Sequence, residues 1–142
     1  MSIKVDLKDF NRELGELKRR ARNLEPPLRG FANYMEVETK RQFDFGIDPD
    51  GIPWKALKPQ TLEQKRYLGF PDDILRRTKA LENSFYIRVS SKSVVIGLSS
   101  KIAIYHQEGT EDLPQRKILG ISKTRRQKGV SLIKIYILGR GR

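Results

Sequence analysis

The sequence predicts an α+β fold in which N-terminal helices pack on a small antiparallel sheet, with an extended loop and a C-terminal arm. Three observations carry this. Two apolar stripes at helical spacing fill the first 45 residues. A run of alternating residues with a short polar turn occupies residues 84–97. Between them lies a stretch dense in proline, glycine and aspartate. At 142 residues the expectation is one domain, 1–142, with the basic segment 123–142 as an assembly arm.

The elements follow in order. Ile3, Val5 and Leu7 alternate and predict a short opening strand. Phe10, Leu14, Leu17, Ala21 and Leu24 recur at steps of four and three, an amphipathic helix whose polar face carries Lys18, Arg19, Arg20 and Arg22. Pro26-Pro27 ends it, because proline lacks the amide donor and clashes with the preceding turn. Proline is tolerated in a first turn, so a second helix starts there, with Leu28, Phe31, Met35, Thr39, Gln42 and Phe43 on one face and Gly46 at its end. The two form an αα-hairpin or one sharply kinked helix.

Residues 46–60 read as an irregular loop in which Pro49-Asp50-Gly51 supplies turn chemistry. Thr61 and Gln64 suggest a capping box for a short helix ending near Tyr67, and Thr78 a cap for the next turn. Phe85, Ile87 and Val89 alternate with Tyr86, Arg88 and Ser90; Ser91-Lys92 is the turn and residues 93–97 the return strand. Residues 102–105 predict a third strand and 107–116 a polar loop. The last segment is ambiguous: behind a charged connector at 122–129, the β-branched and aromatic run 130–138 favours a strand but leaves a helix open.

Composition narrows the function. With no cysteine, disulfides and thiolate metal sites are excluded, and a single histidine excludes a multi-histidine metal site. No apolar run approaches the ~20 residues of a membrane helix, and the start lacks the apolar stretch of a signal peptide. The expectation is a protein made in a cytoplasm, with no membrane partner and no cofactor. Hydrophobic residues are 37% of the chain, below the globular average. Such a share fits disorder, protruding arms, or apolar burial completed between subunits.

Net charge is +12, which attracts polyanions and acidic protein faces. The bias is uneven: no acidic residue follows Asp112, while Arg116, Lys117, Lys123, Arg125, Arg126, Lys128, Lys134, Arg140 and Arg142 do. This segment either neutralises phosphates or forms a solvated basic face or arm that docks on an acidic neighbour, and no base-reading motif accompanies it. A catalytic His106 would need a nucleophile or an orienting carboxylate, and no motif announces one, so it reads as a loop-stabilising histidine. Asp72-Asp73 and Glu111-Asp112 are sequence neighbours whose side chains usually diverge, so capping and solvation explain them better than metal or acid–base work. Trp54 is either an interface or stacking anchor or the core plug beneath the proline-rich loop. No catalytic or metal-binding residues are assigned.

Four short motifs then carry a resemblance. Phe43, Asp50-Gly51, Trp54, Leu57, Thr61 and Lys65 come first; Ile74-Leu75, Thr78, Leu81 and Ser84 second. Val95, Gly97, Tyr105, His106, Gln107 and Gly109 are third; Pro114, Arg116, Leu119-Gly120 and Ser122 last. In this order, across roughly residues 40–122, they resemble the Mu-type phage virion-morphogenesis (tail-completion) family. Lys79 stands where that family commonly has glycine, and Gln115 and Ile118 flank Arg116 where it has a small residue and an aromatic.

The resemblance implies a non-enzymatic structural protein of the virion neck or tail, assembled in the host cytoplasm. It also implies a homo-oligomer, a hexameric ring around the DNA channel, contacting other neck and tail proteins and DNA nonspecifically. The residues expected in assembly contacts are Trp54, Tyr105, His106, Gln107, Arg116, Lys123, Arg125, Arg126 and Lys128. The alternative is a small basic DNA-binding protein.

Overall fold

The computed structural model describes residues 8–139. The opening strand expected from Ile3, Val5 and Leu7 lies outside them, as do Arg140 and Arg142. The architecture is α+β: α1 (Lys8–Arg22), α2 (Glu25–Phe45), α3 (Pro59–Tyr67), α4 (Ala80–Asn83), β1 (Phe85–Val89), β2 (Val94–Leu98), α5 (Ala103–Glu108) and α6 (Lys123–Leu138).

α2 is the organising element. The double proline sits in its first turn, and Leu28, Phe31, Met35, Thr39, Gln42 and Phe43 are all buried, as their spacing predicts. Gly46 ends it at φ 65°, a left-handed conformation that glycine adopts without a Cβ clash. One side of α2 carries the hairpin and another carries α6. β1 and β2 pair antiparallel with Tyr86 opposite Gly97 and Arg88 opposite Val95. Phe85, Ile87, Val89, Val94, Ile96 and Leu98 form the half-buried face, and Tyr86, Arg88 and Val95 the exposed one. The backbone N–H of Leu24 donates to the Ser91 carbonyl at 2.7 Å, tying the hairpin tip to the start of α2. In α1, Leu17 is half-buried and Ala21 exposed, while Phe10 and Leu14 lie outside the described side chains.

Four local expectations are corrected. Residues 102–105 are not a third strand; α5 begins at Ala103. A strand would bury alternate side chains, but here only Ala103 enters the core while Ile102, Ile104 and Tyr105 remain exposed. Residues 130–138, where the sequence leaves strand and helix open and favours strand, are helical: α6 runs over Lys123–Leu138 and packs on α2. Ser122 caps it, its Oγ accepting the Arg125 N–H at 3.3 Å. Gly129 lets α6 approach α2 closely, since a Cβ there would stand 3.2 Å from the Phe31 ring. β-Branched residues tolerate a helix where tertiary packing supplies the stabilisation.

The caps differ too. α3 starts at Pro59 behind Lys58, with no Thr61–Gln64 capping box. α4 starts behind Lys79, not Thr78, and Lys79 takes φ 64°. Leu75, also at positive φ, shares this strained loop.

Candidate functional site

The core over which the loops close is built from Phe43, Trp54, Leu81, Ala103 and Ile118, with Ile74, Leu75 and Leu98 against it. Asp48 shapes the approach to Trp54: its Oδ1 accepts the N–H of Asp50 at 2.8 Å and of Ile52 at 2.9 Å. An Asx turn of this kind reverses the chain locally. The Trp54 N–H then donates to the Gly46 carbonyl at 2.7 Å. The indole meets Phe43 edge-on, centroids 5.4 Å apart, and its Nε1–H donates to the Lys117 carbonyl at 2.8 Å. Trp54 is thus the core plug beneath the loop, not a surface anchor.

Several other motif residues fasten backbone to backbone. Gln107 Oε1 accepts from Ile118 N at 2.8 Å and Leu119 N at 3.0 Å, and its Nε2 donates to the Leu119 carbonyl at 2.8 Å. Buried Arg116 donates from Nε to the Lys55 carbonyl at 2.8 Å and from Nη2 to that of Ala56 at 3.2 Å. Buried Arg125 reaches Gln42 Oε1 at 2.5 Å and the Gly120 carbonyl at 3.1 Å, while Gln42 Nε2 donates to the Ile118 carbonyl at 2.7 Å. Burial lowers the pKa of both arginines, yet guanidinium stays charged at any physiological pH. Arg116 and Arg125 therefore act on the fold's own carbonyl and amide groups, and their charge is turned inward.

A second polar knot went unread in the sequence. Arg76 is buried and forks onto buried Glu82 through Nε and Nη2, both at 2.8 Å. It also reaches Asp44 at 2.7 Å and Asp73 at 3.1 Å. These partners, Glu82 foremost, raise its pKa. Buried Lys65 donates to the Asp73 carbonyl at 2.6 Å and the Arg76 carbonyl at 2.9 Å. Its pKa is lowered, chiefly by burial, with Asp73 opposing. The arginine pair Arg76-Arg77 gave no signal as to which one turns inward.

α3, the 68–80 loop, α5 and the 109–116 loop enclose a groove of about 720 Å³. Its apolar lining includes Leu57, Leu75, Ile102 and Leu113; the α5 lip, where the loop after α5 adjoins the groove, carries Glu111 and Asp112, and Lys58 and Arg77 also line the groove. His106 is half-buried at this groove, and its Nδ1 is buried without a partner among the described residues. Burial, then the charge of Arg116, lowers its pKa. Tyr105 is exposed on α5. Of the basic candidates, Lys123, Arg126 and Lys128 are exposed on α6, Lys128 with its Nζ 5.8 Å from the centroid of the Tyr34 ring. The nine expected assembly residues thus divide into buried staples (Trp54, Arg116, Arg125), half-buried α5 residues (His106, Gln107) and exposed ones (Tyr105, Lys123, Arg126, Lys128).

Among the described residues no group of three or more His, Cys, Asp or Glu is placed to hold a metal ion, and no helix is long and apolar enough to cross a membrane.

Comparison with known proteins adds two findings. The model of the phage virion morphogenesis family matches residues 5–137. The Mu-like prophage FluMu G protein 1 of Haemophilus influenzae is 28% identical over 111 residues, covering 77% of this chain and 73% of that protein. No solved structure matches.

Proposed function

The chain belongs to the phage virion morphogenesis family, and from that premise we propose that it completes the tail or joins it to the head as part of a ring in the neck. Membership makes it a structural or assembly protein associated with the phage particle. The finer reading is a homo-oligomer, a hexameric ring, that contacts other neck and tail proteins and touches the DNA in the channel nonspecifically. The observation that carries it is the family match, which spans α1 to the last turn of α6. The relative from a Mu-like prophage supports the same direction. The exposed candidates Tyr105, Lys123, Arg126 and Lys128 are the assembly contacts, presented by a framework of buried Trp54, Arg116 and Arg125 and half-buried Gln107.

The test is genetic. Deleting the gene from its phage or prophage and imaging induced lysates is expected to leave filled heads and unjoined or misfinished tails, restored by the gene in trans. Normal infectious particles without the gene would refute the reading.

A DNA-binding role is favoured by one observation: the acid-free exposed cations of α6, Lys123, Arg126 and Lys128. It predicts duplex binding whose log–log salt slope is roughly −3 for three phosphate contacts. A slope indifferent to reversal of these three charges rejects it.

A further inference from the structure

We propose that the α5 lip of the groove is a docking surface for the outer face of α6 from a second copy of this chain, an inference that rests on the assembly reading. The lip combines exposed apolar side chains with unpaired acids. Ile102 and Tyr105 are 51% and 53% exposed on or beside α5, and Leu113 is 37% exposed on the adjoining loop. Ile102 and Leu113 line one groove together with Glu111 and Asp112, so the apolar and acidic parts are contiguous. Among the described residues, no ion pair reaches Glu108, Glu111 or Asp112. In a chain of net charge +12 such carboxylates face an excess of cations, yet none of the fold's own is brought to them. An apolar patch rimmed by charge marks a protein contact.

The complementary surface is on the same chain. Lys123, Arg126, Val130 and Lys134 are all exposed and fall at i, i+3, i+7 and i+11, one side of α6. Val130 is an apolar centre, 45% exposed, inside a stripe where no acidic residue occurs. Lys123 to Lys134 spans about 16 Å of helix. A single chain does not satisfy both surfaces itself: α6 packs on α2 and α1 and contributes no residue to the groove. Two different patches meeting between copies make a head-to-tail contact, the kind that closes into rings when the rotation permits.

The test uses the full chain in sedimentation equilibrium and native mass spectrometry. The wild type is expected to associate. Glu111→Lys with Asp112→Lys, and separately Arg126→Glu with Lys134→Glu, should each weaken association at least about 100-fold. All four positions are exposed, so both variants keep the fold, checked by circular dichroism. Mixed in equal amounts, the two variants should associate again, because each reversed patch then meets its complement. A monomeric wild type, a variant that associates like the wild type, or a mixture that stays monomeric overturns the proposal. So does a monomeric wild type whose α6 variant loses only duplex-DNA binding. If deletion of the gene blocks tail assembly while both variants associate normally, the assembly reading stands and this interface falls; normal particles after deletion refute the assembly reading itself.

Discussion

Replacing Arg76 with methionine removes the one cation that reaches buried Glu82 in the described structure. The two fork bonds, both 2.8 Å, join side chains that are 10% and 6% exposed. The other two partners, Asp44 and Asp73, are 60% and 46% exposed, so solvent screens them and each contributes about 0–1 kcal/mol. The dominant cost is therefore a carboxylate left buried without its partner, about 3–5 kcal/mol. Against a total stability of about 5–15 kcal/mol this is a large fraction. Arg76→Lys keeps the charge but loses the bidentate geometry and should cost about 1.5–3 kcal/mol. Urea unfolding followed by far-ultraviolet circular dichroism measures both. The double variant Arg76→Met/Glu82→Met should be more stable than Arg76→Met alone, because the second change removes the orphan charge. A cost below about 1 kcal/mol for Arg76→Met, or strict additivity in the double variant, would show that the knot is not an interdependent unit.

Three further outcomes are expected. Trp54→Ala should destabilise by about 3–5 kcal/mol through the cavity beside Phe43, and Trp54→Phe by about 1–3 kcal/mol through the orphaned Lys117 carbonyl; equal losses for both would contradict the indole hydrogen bond. Lys79→Gly relieves a left-handed residue, a strain of about 1–2 kcal/mol set against about 0.5–1 kcal/mol of added chain entropy, and should stabilise by up to about 1.5 kcal/mol; a lower melting temperature refutes the strain. His106, whose ordinary pKa of 6.5 is lowered in the fold, binds protons more readily unfolded. Its contribution is thus intact above 6.5 and lost as pH falls from there through the lowered folded value. His106→Gln should flatten the melting-temperature profile on the acid side of pH 6.5, and an unchanged profile rejects the assignment.

The glycine–lysine difference shows how motif and structure inform each other. The sequence places Lys79 where the resembling family commonly has glycine, and the structure shows that position at φ 64°. Backbone geometry accounts for a glycine there, and the chain retains the geometry with a lysine. Arg116 and Gln107 show the opposite case. Their residue types and order were visible, but a long polar side chain reads as equally suited to a partner or to the fold's own backbone. Only packing showed that Arg116 donates to the Lys55 and Ala56 carbonyls and that Gln107 bonds residues 118 and 119.

Alone, the sequence determined the family, the α+β class, the buried face of α2, its glycine end and the hairpin with its turn. The family came from a resemblance carried by four motifs in order; the rest rests on local periodicity or turn chemistry, which neighbours in the chain define by themselves. It did not determine the helical state of α5 and α6, because β-branched runs satisfy either conformation and packing against a core or against α2 decides. Nor did it decide which charges turn inward: Arg76, Arg116 and Arg125 are neutralised or hydrogen-bonded by residues up to 83 positions away. That selection, made by tertiary contacts, leaves the outer face of α6 basic and the α5 lip acidic.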